Sequence, residues 1–210
     1  MNQYDFGNFD ANTKFLESLN INWKGKKVLE IGCGNGSMTK YLYDLGADIT
    51  AIDLSETFIN TAKSRFGNKI AELFHVMSGD DIKFENNSFD IAVSFDLIEH
   101  IPEVPKHINE VARVLKTGGQ YYFQTPNKLP SALFAIYRYK HLTKYKINHP
   151  SLQTKSSLLR TFNQAGLTLS FPKVDYYTPW YVNKLPMLLR GINPRKLGIE
   201  TNIYGIGTKS

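Results

Sequence analysis

The stretch Val28-Leu29-Glu30-Ile31-Gly32-Cys33-Gly34-Asn35-Gly36 decides how the rest of the chain is read. An apolar run opening at Lys27 suits a buried strand, and the glycines that end it suit a tight turn. Beyond them Met38, Tyr41, Leu42 and Leu45 fall at helical spacing and stop at Gly46, so the spacing predicts a helix over 37–45. A glycine cluster at the carboxyl end of a strand lets a ligand approach the backbone closely, which marks a nucleotide-like crevice. Two familiar glycine signatures fail here. G-x-G-x-x-G wants glycine where this chain has Ser37, or Thr39 in the alternative register, and no Gly-Lys-Ser/Thr follows to make a phosphate loop. What remains is acid-x-Gly-x-Gly-x-Gly.

Working outward, the alternation continues. A second strand is predicted over 48–52, closed by Asp53, and a second helix over 55–66, with Ser55 as N-cap and Gly67 at its end. A third strand is expected over 70–77 and a fourth over 89–95, whose continuous apolar character suits burial on both faces. Val104, Ile108, Val111 and Leu115 form one stripe of a helix over 103–116, ended by Thr117-Gly118-Gly119 before a fifth strand over 120–125. Five β/α repeats imply an α/β fold with a doubly wound, mostly parallel sheet. After Asn127 the rhythm changes: an inserted helix rich in aromatics and bases over 129–145, a helix over 154–165, and closing strands over 167–175 and 202–208. Between those strands, 176–200 carries Pro179, Pro186 and Pro194 and reads as an irregular excursion.

The length, 210 residues, suits one domain, and 42% hydrophobic with 21% charged residues is an ordinary globular composition. A lone cysteine, Cys33, excludes an intrachain disulfide framework and any multi-cysteine zinc site, which fits a reducing cytoplasm. Residues 1–14 hold Asp5 and Asp10 and lack the basic-then-apolar pattern of a secretory signal. The least polar later stretch is broken by Pro130 and closed by Arg138, short of the roughly 20 residues that span a bilayer. The net charge of +6 hides an asymmetry: residues 1–127 carry 12 Lys and Arg against 17 Asp and Glu, and residues 128–210 carry 13 against 2. The second part is either a solvated basic surface or one that faces an anionic partner.

Four blocks in order make the chain resemble the class I S-adenosylmethionine-dependent methyltransferases, in particular the UbiG-like and UbiE-like small-molecule group. They are Glu30-Ile31-Gly32-Cys33-Gly34-Asn35-Gly36; 49–53 followed by Leu54-Ser55; Gly79-Asp80-Asp81 upstream of Ser88-Phe89-Asp90; and 94–101 leading to Glu110-Val111-Ala112-Arg113-Val114-Leu115-Lys116-Thr117-Gly118-Gly119. The likeness is strong over 23–127 and weak beyond. It implies a Rossmann-like sheet of seven strands flanked by helices, the last strand antiparallel, with an insertion after strand five. The expected layout is an N-terminal lid helix in 1–22, a cofactor-binding core in 23–127, and an acceptor-covering insertion with closing strands in 128–210.

The resemblance implies S-adenosylmethionine as cofactor. It places Gly32, Cys33 and Gly34 against the methionine part, with Glu30 near the ammonium group. Asp53 would take the ribose hydroxyls with Leu54 beside it, Asp80 or Asp81 would accept from the adenine amino group, and Phe95 with Asp96 would line the pocket beside the sulfonium. Cys33 sits inside the cofactor loop, where a small residue suffices, and is not expected to be a nucleophile. A hydroxyl acceptor needs a base, for which histidine is suited near neutral pH. His100, in Glu99-His100-Ile101, and His149, ahead of the helix over 154–165, are the candidates; His75, His107 and His141 read as surface or packing residues.

The acceptor is read by elimination. Ser94-Phe95-Asp96-Leu97 lacks the Asp/Asn-Pro-Pro-aromatic motif of amino-methylating DNA enzymes, and Glu99 lacks the second glutamate of protein arginine methyltransferases. Asp96 and Asn127 alone make a thin case for a catechol-type metal site, and no metal is expected. The expected activity is methylation of an oxygen or nitrogen of a small, aromatic or lipid-like acceptor. The alternatives are an RNA methyltransferase that uses the basic C-terminal part, or a non-catalytic S-adenosylmethionine-binding regulator. Tyr137-Arg138-Tyr139-Lys140 and Lys144-Tyr145-Lys146 interleave aromatics and bases, a pattern that suits packing, an anionic membrane surface or nucleic acid. With Tyr176, Tyr177, Trp180 and Tyr181 this region reads as a lid over an amphiphilic acceptor.

Overall fold

The structure is a computed structural model that describes residues 8–128, 130, 150–173 and 200–210. In chain order its elements are α1 (Phe9–Ser18), β1 (Lys27–Ile31), α2 (Ser37–Asp44), β2 (Asp48–Asp53), α3 (Glu56–Phe66), the short α4 (Asn68–Ala71) and β3 (Phe74–Val76). Then come β4 (Phe89–Phe95), a 3-10 turn at Ile98–His100, α5 (Val104–Val114), β5 (Leu115–Pro126), α6 (Lys155–Gln164), β6 (Leu167–Ser170) and β7 (Asn202–Lys209).

The seven strands form one sheet in the order β3-β2-β1-β4-β5-β7-β6, parallel from β3 to β5 and antiparallel where β7 runs between β5 and β6. The doubly wound sheet and the reversed last strand are as expected. β1 and β4, central in the sheet, are mostly apolar and buried without alternation because each face is covered. Val28 and Val93 pack with Phe15, Leu16, Met38 and Leu42 of α1 and α2 on one face. Leu29, Ile31 and Ala92 pack with Val104, Ile108 and Val111 of α5, and with Leu158 and Phe162 of α6, on the other. Each fully buried side chain of this size contributes about 1.5–3 kcal/mol.

Three expected boundaries move. The run over 70–77 is divided: Ile70 closes into α4, and only Phe74 to Val76 pair with β2. Ile70 is buried against Ala51, Ile59 and Phe74, so it contributes an apolar residue without a strand. No helix separates β3 from β4. The helix over 103–116 ends at Val114, because Leu115 already has extended backbone (ψ 141°) and begins β5 opposite Phe89. The Thr117-Gly118-Gly119 segment is therefore inside a strand whose register shifts between Phe89 and Ile91, and it ends no helix. The strand over 167–175 is described as strand only to Ser170. The inserted helix over 129–145, the excursion over 176–200, His141 and His149 lie outside the described residues, apart from Pro130 and Glu200.

Candidate active site

In a parallel sheet the crevice lies beyond the carboxyl ends of the strands, where the strand order reverses, and here that point falls between β1 and β4. The turn after β1 is tied back to β2: the N–H groups of Gly32 and Cys33 both donate to Ile52 C=O, at 2.8 and 3.0 Å. Gly34 has φ +51°, and a Cβ built on it would meet nothing within 4 Å, so its backbone borders open space. Its N–H donates to Asp53 Oδ2 at 2.9 Å, while Ser55 N–H donates to Asp53 Oδ1 at 2.8 Å. Those two bonds hold the carboxylate in place, yet each oxygen keeps acceptor capacity. Glu30 is buried and takes the hydroxyl of Thr39 on Oε2. Burial pushes its carboxyl up to about 8, the Thr39 bond opposes this and the charge of Asp53 adds to it. The Cys33 thiol is buried and driven far up by that burial and by Glu30 and Asp53, so it stays protonated and inert.

Next along the crevice is apolar surface turned to solvent. Leu54, directly after Asp53, is 73% exposed, and Val76, opposite Asp53 in the β2–β3 ladder, is 52% exposed. Asp81 is taken by Lys83 at 2.5 Å on the surface. Asp80 is less exposed, accepts from Ser78 Oγ and lies 4.0 Å from Lys106 Nζ. The loop that carries it is anchored from the core by His107. The Nδ1–H of His107 donates to Gly79 C=O at 2.7 Å, its Nε2 lies 3.0 Å from the Tyr121 hydroxyl, and that hydroxyl lies 2.6 Å from Ser94 Oγ. Burial pushes the imidazole below its ordinary value, so it is neutral; Tyr121 then donates to Nε2 and accepts from Ser94. The sequence reading of His107 as a packing residue missed this anchoring bond.

At the end of β4, Phe95 is half-buried and Asp96 turns the chain with φ +51°. Asp96 accepts from Asn8 Nδ2 on both oxygens, at 2.9 and 2.8 Å, across 88 residues of sequence. Burial raises its carboxyl above the ordinary value, opposed by Asn8, the Gln124 amide and His100. Glu99 is almost fully buried and accepts from Thr125 Oγ1 at 2.9 Å; burial, and then the charge of Asp96, push it up to about 8. His100 is exposed on the turn, close enough to favour the charged form of Asp96. Gln124 is completely buried in β5 with its Nε2 unpartnered, and Asn8 Oδ1 is likewise buried without a partner. An unsatisfied buried group of this kind costs about 1–3 kcal/mol. Asn8 and Gln124 were absent from the sequence reading. The one available signal was an amide inside the apolar run Tyr121-Tyr122-Phe123. Among the described residues no three His, Cys, Asp or Glu side chains converge as a metal-binding group.

A family model described as a methyltransferase domain matches residues 29–123. A ubiquinone biosynthesis O-methyltransferase of Aromatoleum aromaticum is 31% identical over 168 residues, covering 72% of this chain and 71% of that one. The protein of the same description from Xanthomonas euvesicatoria is 29% identical over 171 residues, covering 78% and 71%. The chain belongs to the class I S-adenosylmethionine-dependent methyltransferases. The fold agrees: a crystal structure of an S-adenosylmethionine-dependent methyltransferase from Mesorhizobium loti superposes with a TM-score of 0.70 at 19% identity, covering 94% of this chain and 97% of that one. Phosphoethanolamine N-methyltransferase 2 of Haemonchus contortus, in complex with S-adenosyl-L-methionine, superposes at 0.67 and 18%, covering 96% and 52%.

The cofactor of this methyltransferase is S-adenosylmethionine, whose sulfonium supplies an electrophilic methyl group when bound. The residues present fit it. Open space faces Gly34, the Asp53 carboxylate offers acceptor capacity to a ribose, Leu54 and Val76 present bare apolar surface to a purine, and a buried acid, Glu30, stands ready for an ammonium group. A separate cavity of about 590 Å³, lined by Leu19, Ile21, Lys26, Lys116 and Tyr122 among others, opens at the opposite ends of these strands, away from all of these groups. Among the described residues no helix is long and apolar enough to cross a membrane.

Proposed function

We propose that this methyltransferase transfers its methyl group to a hydroxyl oxygen of a small acceptor bound beside Phe95 and Asp96. The observation that carries the reading is the set of relatives at 29–31% identity over 72–78% of the chain, whose own acceptors receive the methyl group on oxygen. The chemistry at the end of β4 supports it, because a hydroxyl is a poor nucleophile until its proton is taken, and the Asp96 carboxylate stands there to take it. In the same reading Glu30, Gly32, Cys33 and Gly34 hold the methionine part, Asp53 the ribose, and Leu54 with Asp80 the adenine. Beyond the proton, the protein's task is to hold the acceptor oxygen in line with the methyl group, which is worth up to roughly 7–11 kcal/mol. The interleaved bases and aromatics over 137–146 support an amphiphilic acceptor met at an anionic membrane surface. The test is a turnover screen with S-adenosylmethionine against phenols, quinols, lipid-linked phenols, primary amines and RNA. The expected result is methyl ethers from the phenolic set; turnover of amines or RNA alone would refute the reading.

A further inference from the structure

The two histidines expected from sequence to act as base fare differently: His149 is outside the described residues, and His100 lies on the exposed turn. Inside the crevice the structure presents another pair. The Asp96 N–H donates both to Gln124 C=O, at 3.2 Å, and to Gln124 Oε1, at 3.1 Å. The second bond decides which way the amide points, since exchanging oxygen and nitrogen would set two donors against each other. Nε2 is thereby committed to the other direction, fully buried and with no partner within 3.5 Å, next to the Asp96 carboxylate, whose charged form the Gln124 amide favours by hydrogen bonding. A buried donor left open in this way lacks an acceptor atom.

We infer that Asp96 is the general base of the reaction and that Gln124 Nε2 donates to the same acceptor oxygen, so that one side chain takes the proton while the other holds the oxygen that loses it. The inference rests on the hydroxyl reading above. In the step, the acceptor O–H bond breaks with its proton going to an Asp96 oxygen and its electron pair staying on the acceptor oxygen. That pair forms the bond to the methyl carbon as the methyl–sulfur bond breaks with its electrons on sulfur, and Asp96 afterwards returns the proton to solvent. Among the described residues, the charged and titratable groups that face Asp96 are Glu99 and His100. Glu99 lies behind it, pinned by Thr125 and pushed up to about 8, so it is largely protonated near neutrality and leaves the negative charge on Asp96. His100 favours that charge from the following turn, and among the described residues the start of α1 and β5 contribute only the amides of Asn8 and Gln124. Burial makes the Asp96 carboxylate a stronger base than a solvated aspartate.

The test uses two phenols, one with an ordinary hydroxyl, of pKa about 10, and one carrying nitro groups that is already ionised at the assay pH. The variant is Asp96→Asn, which suits the fold: asparagine tolerates the left-handed backbone, and its amide can donate to the unpartnered Asn8 Oδ1. The expected result is a loss in kcat of about a hundredfold or more on the ordinary phenol. On the ionised phenol the variant stays near the wild-type rate, with S-adenosylmethionine affinity unchanged. The wild-type kcat should rise with pH to a plateau, and this rise should be missing in the variant. Gln124→Leu should slow both phenols, since both need the oxygen held, and in the presence of S-adenosylhomocysteine it should weaken nitrophenolate binding read by absorbance. Equal loss on both phenols in Asp96→Asn would overturn the inference. So would a selective loss in His100→Asn in place of Asp96→Asn, or activity abolished by a chelator and restored by a divalent cation. A wild type that binds S-adenosylmethionine and methylates amines but neither phenol would overturn the hydroxyl reading, and this inference with it.

Discussion

Replacing Glu30 with Gln should abolish a proton that the wild-type enzyme releases on binding S-adenosylmethionine. Glu30 is buried next to Asp53, and with its carboxyl at about 8 it is roughly nine-tenths protonated at pH 7 before the ligand arrives. A cation placed beside a carboxylate lowers its pKa by about 1–3 units. The ammonium group would therefore bring Glu30 to about 5–7 and expel about 0.4 to 0.9 proton at pH 7. Calorimetric titrations in buffers of different ionisation enthalpy give this number as a slope. S-adenosylhomocysteine should release as much, because it keeps the ammonium group and lacks only the sulfonium. Glu30→Gln preserves an acceptor for the Thr39 hydroxyl and should give a slope of zero. The same shift acts on stability with a definite sign. Folded Glu30 binds its proton more tightly than unfolded Glu30, so without ligand its contribution is complete below about 4.5 and is lost as pH rises toward 8. The slope is at most about 1.4 kcal/mol per pH unit, and Glu30→Gln should flatten it. A wild-type enthalpy independent of buffer, or an equal proton release from Glu30→Gln, would mean that Glu30 is not the group that gives up the proton.

Gly34→Ala should cost only the left-handed backbone penalty, about 1–2 kcal/mol, because its methyl group meets nothing within 4 Å. It should nevertheless weaken S-adenosylmethionine at least about tenfold, which a thermal melt and a titration check together. His107→Phe leaves Gly79 C=O without its side-chain partner, while the Tyr121 hydroxyl keeps Ser94, and should cost about 1–3 kcal/mol in chemical denaturation while raising the cofactor Kd through the Asp80 loop. Exchanging Arg138, Lys140, Lys144 and Lys146 for Gln should weaken sedimentation with anionic liposomes and leave cofactor affinity intact; unchanged sedimentation would count against membrane contact.

β1 and β4 were legible to the residue because burial on both faces makes a strand mostly apolar without alternation, and in β1 the run ends in a glycine turn. The start of β5 was not. Leu115 satisfies the α5 stripe, and only pairing with Phe89, at the start of the preceding strand β4, converts it to a strand residue. Ile70 misled for the converse reason, since burial alone does not distinguish a helix turn from a strand edge. The same contrast runs through the site. Glu30, the glycines and Asp53 are visible because the turn and its acid are contiguous with their strands. Asn8 and Gln124 become site residues only when folding brings α1 and β5 to the end of β4, and His107 because its ring reaches Gly79 from another element.

Whether S-adenosylmethionine occupies the crevice beside Gly34 and Asp53 is decided by calorimetric titration of S-adenosylmethionine, S-adenosylhomocysteine and NAD into the wild type and Asp53→Ala. Both adenosyl ligands should bind and NAD should not, and the loss of Asp53 should weaken them at least about tenfold, equivalent to about 1.4 kcal/mol. Binding of NAD, or adenosyl affinities unchanged in Asp53→Ala, would mean that this crevice is not the S-adenosylmethionine site.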